Sequence, residues 1–168
     1  NVLLRSHLSS DDVLVRRRAL ESLGYASLSE VTDYIQQAYD TSDEEWLQSA
    51  LFAMGRSYDD RWHNHVLRMM DHPDSLVRYE AVRAAGELEI KAARELLFDL
   101  LEEGTDDEDL YQAAIWSLTK IGGSGVRSLI EASLEDAEDD REAQFLEDAL
   151  ENLSFTEMSG NFDLMAVG

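Results

Sequence analysis

The stretch that decides the fold is residues 71–103, DHPDSLVRYEAVRAAGELEIKAARELLFDLLEE. Its first half places apolar residues at i, i+4, i+5 and i+8, which is the spacing of a helix with one buried face. These residues are Val77, Ala81, Val82 and Ala85. Residues 93–101 repeat a helical spacing of apolar side chains, whereas Pro73 suits a first helical turn and Gly86 suits a chain reversal. Because neither helix can bury its apolar face alone, the stretch predicts a packed pair.

The same pair recurs along the chain. The pattern apolar-x-x-x-Ala-apolar-x-x-apolar-Gly of residues 77–86 returns at 15–24 and 46–55, and at 110–119 with Thr119 in place of glycine. A period of about 31 to 33 residues made of two helices is typical of a solenoid, in which each repeat packs on its neighbours. We therefore predict an all-α solenoid covering residues 1–153. Its parts are the end of a preceding repeat (1–8), full repeats at 9–40, 41–70, 71–103 and 104–135, and a partial repeat at 136–153.

Local signals support this division. Residues 27–30, 42–45 and 105–108 have the Ser/Thr-x-x-Glu spacing of a capping box, in which the first side chain accepts a backbone N–H at a helix start. Trp46 and Trp62 occupy repeat positions that hold valine elsewhere. We expect both indole rings to lie in the core.

The pattern Val-Arg-x-x-Ala-x-x-x-Leu-Gly of residues 15–24, followed by a short turn and a second apolar helix, resembles the HEAT repeat. The similarity extends over about residues 2–153 and is greatest to the short bacterial type that also occurs in phycobilisome lyases. The fourth repeat departs from it, since Tyr111 stands where arginine is usual. The resemblance implies a right-handed superhelix with first helices on a convex side. Second helices would line a concave groove, which in this family is usually a protein-binding platform.

Composition limits the function. The 168 residues contain no cysteine and carry a net charge of −22. Such charge repels phosphate backbones and anionic lipid, so we expect no nucleic-acid and no membrane partner. A basic or mixed-charge protein is the better expectation. The absence of cysteine is compatible with a bacterial cytoplasm. The chain begins at Asn1 in what looks like the end of a helix, and we expect a fragment of a longer protein.

The groove is the predicted binding site, because two neighbouring repeats place large apolar residues on second helices where the others place polar ones. Leu67 and Phe98 occupy the position that holds Gln36 and Glu131 in other repeats. Adjacent positions add a polar and basic rim, namely His63, Arg68, Arg94 and Arg127. An apolar centre with a polar rim is typical of a binding interface. The alternative is that Leu67 and Phe98 are tucked into the core between repeats.

The first helices offer a secondary surface. Phe52 and Trp116 occupy the position that holds Glu21 and Arg83 in the other repeats, so the convex face could carry aromatic side chains. Because Arg83 lies between them, they do not form one patch. Ordinary partial burial is the favoured interpretation.

Catalytic signals are weak. His63-x-His65 cannot place two metal ligands on one helical face, and we predict no metal and no cofactor. Residues 122–125, Gly-Gly-Ser-Gly, could cradle an anion, but a simple turn between helices is favoured. We predict a non-enzymatic interaction scaffold. A phycobilin (chromophore) lyase subunit is the alternative, and a HEAT-like DNA glycosylase is a third possibility that the acidic chain disfavours.

Two features lie outside the repeat pattern. The acidic runs 40–45, 102–109 and 135–142 fall between repeats, so we expect them to line one edge as solvated linkers. Residues 154–168 form an apolar tail in which Gly160 and Asn161 should interrupt any helix. We expect this tail to dock on the last repeat, or in its own or a neighbour's groove, which would permit self-association.

Overall fold

The computed structural model describes residues 7–8, 10–23 and 29–165, and in these residues the regular structure is entirely helical. The prediction of an all-α fold is confirmed. The helices are α1 (Val13–Leu23), α2 (Ser29–Asp40), α3 (Glu44–Arg56), a 3₁₀ turn (Asp60–Trp62), α4 (His63–Met69), α5 (Ser75–Glu87), α6 (Ala93–Glu103), α7 (Glu108–Ile121), α8 (Val126–Glu135) and α9 (Asp140–Met165). None of these helices combines the length and the apolar character that crossing a bilayer requires. The expected end of a preceding repeat falls largely on residues 1–6, outside the described residues.

The chain divides into two compact units. Unit 1 comprises residues 1–88 and contains α1 to α5, and unit 2 comprises residues 89–168 and contains α6 to α9. The boundary falls inside the predicted repeat 71–103, between its first and second helices. Each predicted repeat from 9–40 to 104–135 contains two helices.

In unit 1, α3 and α5 form the most extensive helix contact. The apolar positions of the decisive stretch are fully buried in α5, as predicted: Val77, Ala81, Val82 and Ala85. A Cβ atom added at Gly55 of α3 would lie only 3.1 Å from the Cα of Ala84 and 3.3 Å from its Cβ. The repeat glycine of α3 therefore permits two helices to cross closely, and its place in the repeat is a packing requirement.

In unit 2, α9 packs against both α7 and α8. The largest fully buried side chains of this core come from all four of its helices: Leu97, Ile115, Leu118, Ile130, Leu146 and Leu153. Not every apolar residue of the predicted α6 stripe is covered. Leu96 is 44% exposed, because the buried face of α6 follows Ala93 and Leu97.

The predicted capping boxes were wrong by one or two residues. The helix-capping side chain is Asp43 for α3 and Asp107 for α7, and each carboxylate accepts a backbone N–H three residues later. Ser42 instead adopts a positive φ of 58°, and Thr105 accepts the N–H of Asp107. Aspartate is as good an N-cap as serine or threonine, and its charge favours the positive end of the helix dipole. The proposed box at 27–30 lies partly outside the described residues.

Two predictions on the decisive stretch also need correction. Pro73 lies before α5, because Asp74 caps this helix by accepting the N–H groups of Leu76 and Val77. Gly86 does not reverse the chain but lies buried within α5. The residue with a positive φ is Glu89, at 50°. Both errors arose from assigning Pro and Gly their commonest roles at helix ends.

The tail prediction was wrong about its conformation. Gly160 and Asn161 do not interrupt a helix, because α9 runs without a break from Asp140 to Met165. A single glycine lowers the stability of an exposed helix by only about 1 kcal/mol. The packing of the preceding turns on α7 and α8 offsets this loss. Docking of the tail stays a prediction, and the last three residues lie outside the described part.

Candidate protein-interaction surface

The residues predicted to form the groove are divided between the units. His63, Leu67 and Arg68 lie on α4 of unit 1, whereas Arg94, Phe98 and Arg127 lie on α6 and α8 of unit 2. Leu67 and Phe98 are each half-buried within this structure. Neither side chain is fully buried in the core, so both contribute apolar surface on second helices.

In unit 1, the surface around α4 rests on buried aromatic side chains. Trp62 is 2% exposed, as its predicted core position requires. The His65 ring lies edge-on to Tyr39 and Trp62, with centroid distances of 4.9 and 5.1 Å. The hydroxyl of Tyr39 donates a hydrogen bond to the carbonyl of His65 at 3.3 Å. Tyr39 of α2 thus contacts α4 both through its ring and through its hydroxyl.

Arg68 is the exposed cation of this α4 surface. Burial raises the pKa of the Tyr39 hydroxyl, while the nearby positive charge of Arg68 opposes the rise and Asp40 adds to it. Because the tyrosine is neutral at neutral pH, it does not form an ion pair with Arg68. The role of Arg68 in a basic rim stays a prediction.

In unit 2, Arg94 is held by the glycine turn between α7 and α8. Its Nε donates a hydrogen bond to the carbonyl of Gly122 at 2.8 Å. A Cβ atom at Gly123 would lie 2.3 Å from Nη2 of the guanidinium, and Gly123 has a φ of 99°. The positive φ favours glycine, and a Cβ atom there would displace the end of the flexible Arg94 side chain. The favoured prediction, a turn between helices, agrees with these contacts.

The Phe98 side chain of α6 lies against the same glycine turn. A Cβ atom at Gly125 would lie 3.5 Å from Cζ of the Phe98 ring, and Gly125 has a φ of 85°. Gly125 also precedes the first residue of α8. The ring is therefore supported from one side by backbone while it stays half-buried, which makes it a fixed aromatic surface group.

Arg127 does not offer a free positive charge. It donates hydrogen bonds to Glu157 at 2.6 Å and to Ser154 at 3.1 Å, both on α9. The hydrogen bond to Glu157 raises the pKa of the guanidinium further above its usual range. The predicted rim is accordingly less basic in unit 2 than the sequence indicated.

The secondary candidates Phe52 and Trp116 are half-buried and are covered by cations. The guanidiniums of Arg56 and Arg83 lie 5.3 and 5.4 Å from the centroid of the Phe52 ring. The Lys120 ammonium lies 5.4 Å from the Trp116 ring. Cation–π contacts of this kind satisfy an aromatic face without a partner. The geometry agrees with ordinary partial burial.

Sequence reasoning missed a polar network between the first helices of unit 1. Arg17 donates to Ser49 at 2.9 Å, and the Ser49 hydroxyl donates to Glu21 at 3.0 Å. Nearby, burial raises the pKa of Glu80; Arg83, whose Nη1 lies 3.8 Å away, opposes this, and Glu21 adds to it. The available signal was the presence of polar residues next to the repeat alanines. Which of them would pair depends on the helix crossing and was not predictable.

Trp46 was also wrongly assigned. Its side chain is half-buried and faces Arg16, whose guanidinium carbon lies 5.8 Å from the ring centroid. The indole lines an open cavity of about 320 Å³ within unit 1. The other lining residues are Leu8, Arg16, Leu20, Tyr34, Gln37, Ala38 and Thr41. Val15 at the same repeat position is also half-buried, whereas Val77 is fully buried, so this position is covered to different extents in different repeats.

In unit 2 the acidic runs 102–109 and 135–142 do meet along one edge. They line an open cleft of about 850 Å³, in which Arg141 pairs with Glu108 and the floor includes Tyr111 and Phe145. Among the described residues there is no group of three or more His, Asp or Glu side chains arranged to hold a metal ion. The cleft is an open acidic edge formed by two of the three runs, and the run 40–45 lies in unit 1.

Paired helices that repeat every 31 to 33 residues define the class as helical repeat proteins. Residues 64–151, slightly more than half of the chain, match the family model of HEAT repeats. The chain belongs to the HEAT repeat family. No curated protein matches it significantly.

Proposed function

We propose that the protein is a non-enzymatic scaffold that binds a protein or peptide through the exposed faces of its second helices. The observation that carries the proposal is Phe98, a large aromatic residue at a position that is Gln36 or Glu131 in other repeats. It is half-buried and supported by the backbone of Gly125. Rigid aromatic groups that are only partly covered are the usual anchors of protein interfaces. HEAT repeats commonly serve as such scaffolds.

Unit 1 offers a comparable anchor. Leu67 is half-buried on α4, and Arg68 next to it is exposed. The net charge of −22 favours a partner of basic or mixed charge, since like charges at an interface slow association. We propose a cytoplasmic location, with which the absence of cysteine is compatible.

The experiment is capture of partners from a lysate of the source organism with the wild-type chain and a Leu67→Asp, Phe98→Asp variant. We expect at least one protein to bind the wild type and to be lost from the variant. The matched control is Leu76→Asp, Leu96→Asp, which changes one more exposed leucine in each unit, at 58% and 44% exposure. Leu96 lies two residues from Phe98 on α6 and therefore on a different face.

Circular dichroism and the melting temperature of both variants show whether a loss of binding comes from the changed surface or from unfolding. Equal capture by the wild type and the Leu67, Phe98 variant, with both folded, would contradict the proposal. Loss of the same protein from the control variant would also contradict it, because binding would then not depend specifically on the faces that carry Leu67 and Phe98.

A bilin-binding lyase of the phycobilisome type is the second candidate. It is favoured by the unit 1 cavity, in which Trp46, Tyr34 and Arg16 offer aromatic faces and a cation to a conjugated, carboxylate-bearing pigment. At about 320 Å³ this cavity lies at the lower end of ligand sites, which favours the scaffold. Visible absorbance and zinc-induced fluorescence after incubation with a bilin test this candidate. A signal that Trp46→Ala abolishes would support it.

A further inference from the structure

The last helix is about twice as long as the first helices of the full repeats. α9 has 26 residues, whereas α1, α3, α5 and α7 have 11 to 14. Its buried side follows Leu146, Ala149 and Leu153, which pack in the core of unit 2. The opposite side of α9 is exposed from Gln144 to Met158.

That opposite side has two consecutive parts. Glu147, Asp148 and Glu151 are exposed, and one turn further along Phe155 and Met158 are 61% and 56% exposed. At 3.6 residues per turn these five positions lie within roughly 100° of one another around the helix axis. We call these five residues the α9 face. An acidic half is thus followed by an apolar half on one side of one helix.

The apolar half differs from most of the preceding repeats. Position 155 corresponds to Arg56, Glu87 and Lys120 in three of them, and to Tyr25 in the first. The sequence also continues the i+3 and i+4 spacing with phenylalanine at 162 and methionine at 165, within the bounds of α9. The α9 face is distinct from the contact with α8, because Glu157, which pairs with Arg127, lies on another side of the helix.

We propose that the α9 face binds a basic amphipathic helix of a partner protein. Apolar residues of that helix would cover Phe155 and Met158, and its lysine or arginine residues would meet Glu147, Asp148 and Glu151. Aromatic and methionine side chains adapt to different apolar partners and are enriched in interfaces. An amphipathic helix is the element that buries such a stripe, through anchors at i, i+3, i+4 and i+7.

Charge decides between this occupant and a second copy of the chain. α9 holds seven acidic residues and one basic residue, Arg141, and Arg141 is paired with Glu108. Two α9 faces would bring their carboxylates together, and each chain carries a net charge of −22. Like charges brought close at an interface are unfavourable, whereas a basic helix is attracted.

The test measures binding of a labelled synthetic peptide of about 18 residues, in which leucine and lysine follow the helical period. Fluorescence anisotropy with the full chain should show saturable binding that weakens as salt is raised. A Phe155→Ser, Met158→Ser variant should lose at least about tenfold in affinity. A Glu147→Gln, Glu151→Gln variant should bind more weakly and with a smaller salt dependence. This second variant keeps the apolar residues, so it tests the proposal even if the first variant is less stable.

Two controls make the result specific. A peptide of the same composition in which leucine and lysine simply alternate should bind at least about tenfold more weakly to the wild type, because it cannot form one apolar helical face. The Leu76→Ser, Leu96→Ser variant should bind the helical peptide as the wild type does.

The proposal is overturned if the wild type does not bind the helical peptide. It is also overturned if the Phe155, Met158 variant binds it equally well, or if the control variant loses the same affinity. Analytical ultracentrifugation of the chain without peptide shows whether it forms a dimer. A dimer that the Phe155, Met158 variant abolishes would assign the face to a second copy and would also overturn the proposal.

Discussion

The two units treat the same repeat position differently. In unit 1, Gly55 lets α3 approach α5 until a Cβ atom would lie 3.1 Å from the backbone of Ala84. In unit 2 the corresponding residue is Thr119, which is 1% exposed, and its carbonyl accepts a hydrogen bond from Thr156 of α9 at 2.7 Å. One unit joins its first helices by close packing, and the other adds a polar link. The glycine of the repeat is therefore a spacing requirement of a particular helix crossing.

The largest effect should follow Gly55→Leu. The added side chain has no space against Ala84, and we expect it to lower the free energy of unfolding by roughly 2–4 kcal/mol. Urea denaturation followed by circular dichroism measures this change. Gly160→Leu is the matched control, because a Cβ atom there meets no atom within 4 Å. In an exposed helix that change should be neutral or stabilise by up to about 1 kcal/mol. Similar destabilisation by both substitutions would refute the packing role of Gly55.

A smaller effect should follow Thr156→Val. The substitution keeps the shape of the side chain but removes the hydrogen bond to the Thr119 carbonyl, so we expect a loss of about 1 kcal/mol of stability. The control is Ser159→Ala on the same helix, whose hydroxyl donates only to the carbonyl of Phe155 at an exposed site. If Thr156→Val left the denaturation midpoint at its wild-type value, the polar link would not join α7 and α9.

The smallest effect concerns Glu80 and depends on pH. Burial raises its pKa in the folded state above the value of 4.5 that an exposed glutamate has, so the folded chain holds this proton more tightly than the unfolded chain. The contribution of Glu80 to stability therefore falls as pH rises from about 4.5 through its folded pKa. We expect Glu80→Gln to unfold at higher urea concentration than the wild type at neutral pH.

That advantage should shrink near pH 4, where the wild-type carboxyl is also protonated. The comparison of the two proteins at both values of pH isolates Glu80 from other titrating groups. Equal differences at both values would show that the raised pKa does not limit stability. Glu45→Gln serves as a control, because that carboxylate pairs with Arg17 at an exposed site.

The helices were predictable because their apolar spacing is repeated. Val77, Ala81, Val82 and Ala85 have one helical spacing, and burial of such a stripe requires a second helix. The pairing into repeats followed from the regular distance between the alanines. The residues at the helix ends were less predictable, since aspartate, serine and threonine can all cap a helix and Asp43 lies directly beside Ser42.

The binding surface was predictable only in part. The positions of Leu67 and Phe98 on second helices followed from the repeat register, and both are half-buried. The charge around Leu67 and Phe98 did not follow from the repeat register. Arg127 is paired with Glu157 because α9 continues beyond residue 153, where the predicted partial repeat ends. A pairing of this kind depends on tertiary contacts between residues far apart in the chain.

The central claim is that the second helices carry the partner-binding side chains, while the first helices provide packing. Hydroxyl-radical footprinting of the free chain and of its complex with a captured partner tests this claim most directly, because it reports the accessibility of single side chains. We predict lower oxidation of Leu67 and Phe98 in the complex, with Leu96 and Tyr58 unchanged. Protection of Phe52 and Trp116, with Leu67 and Phe98 oxidised as in the free chain, would contradict the claim and assign the partner to the first helices.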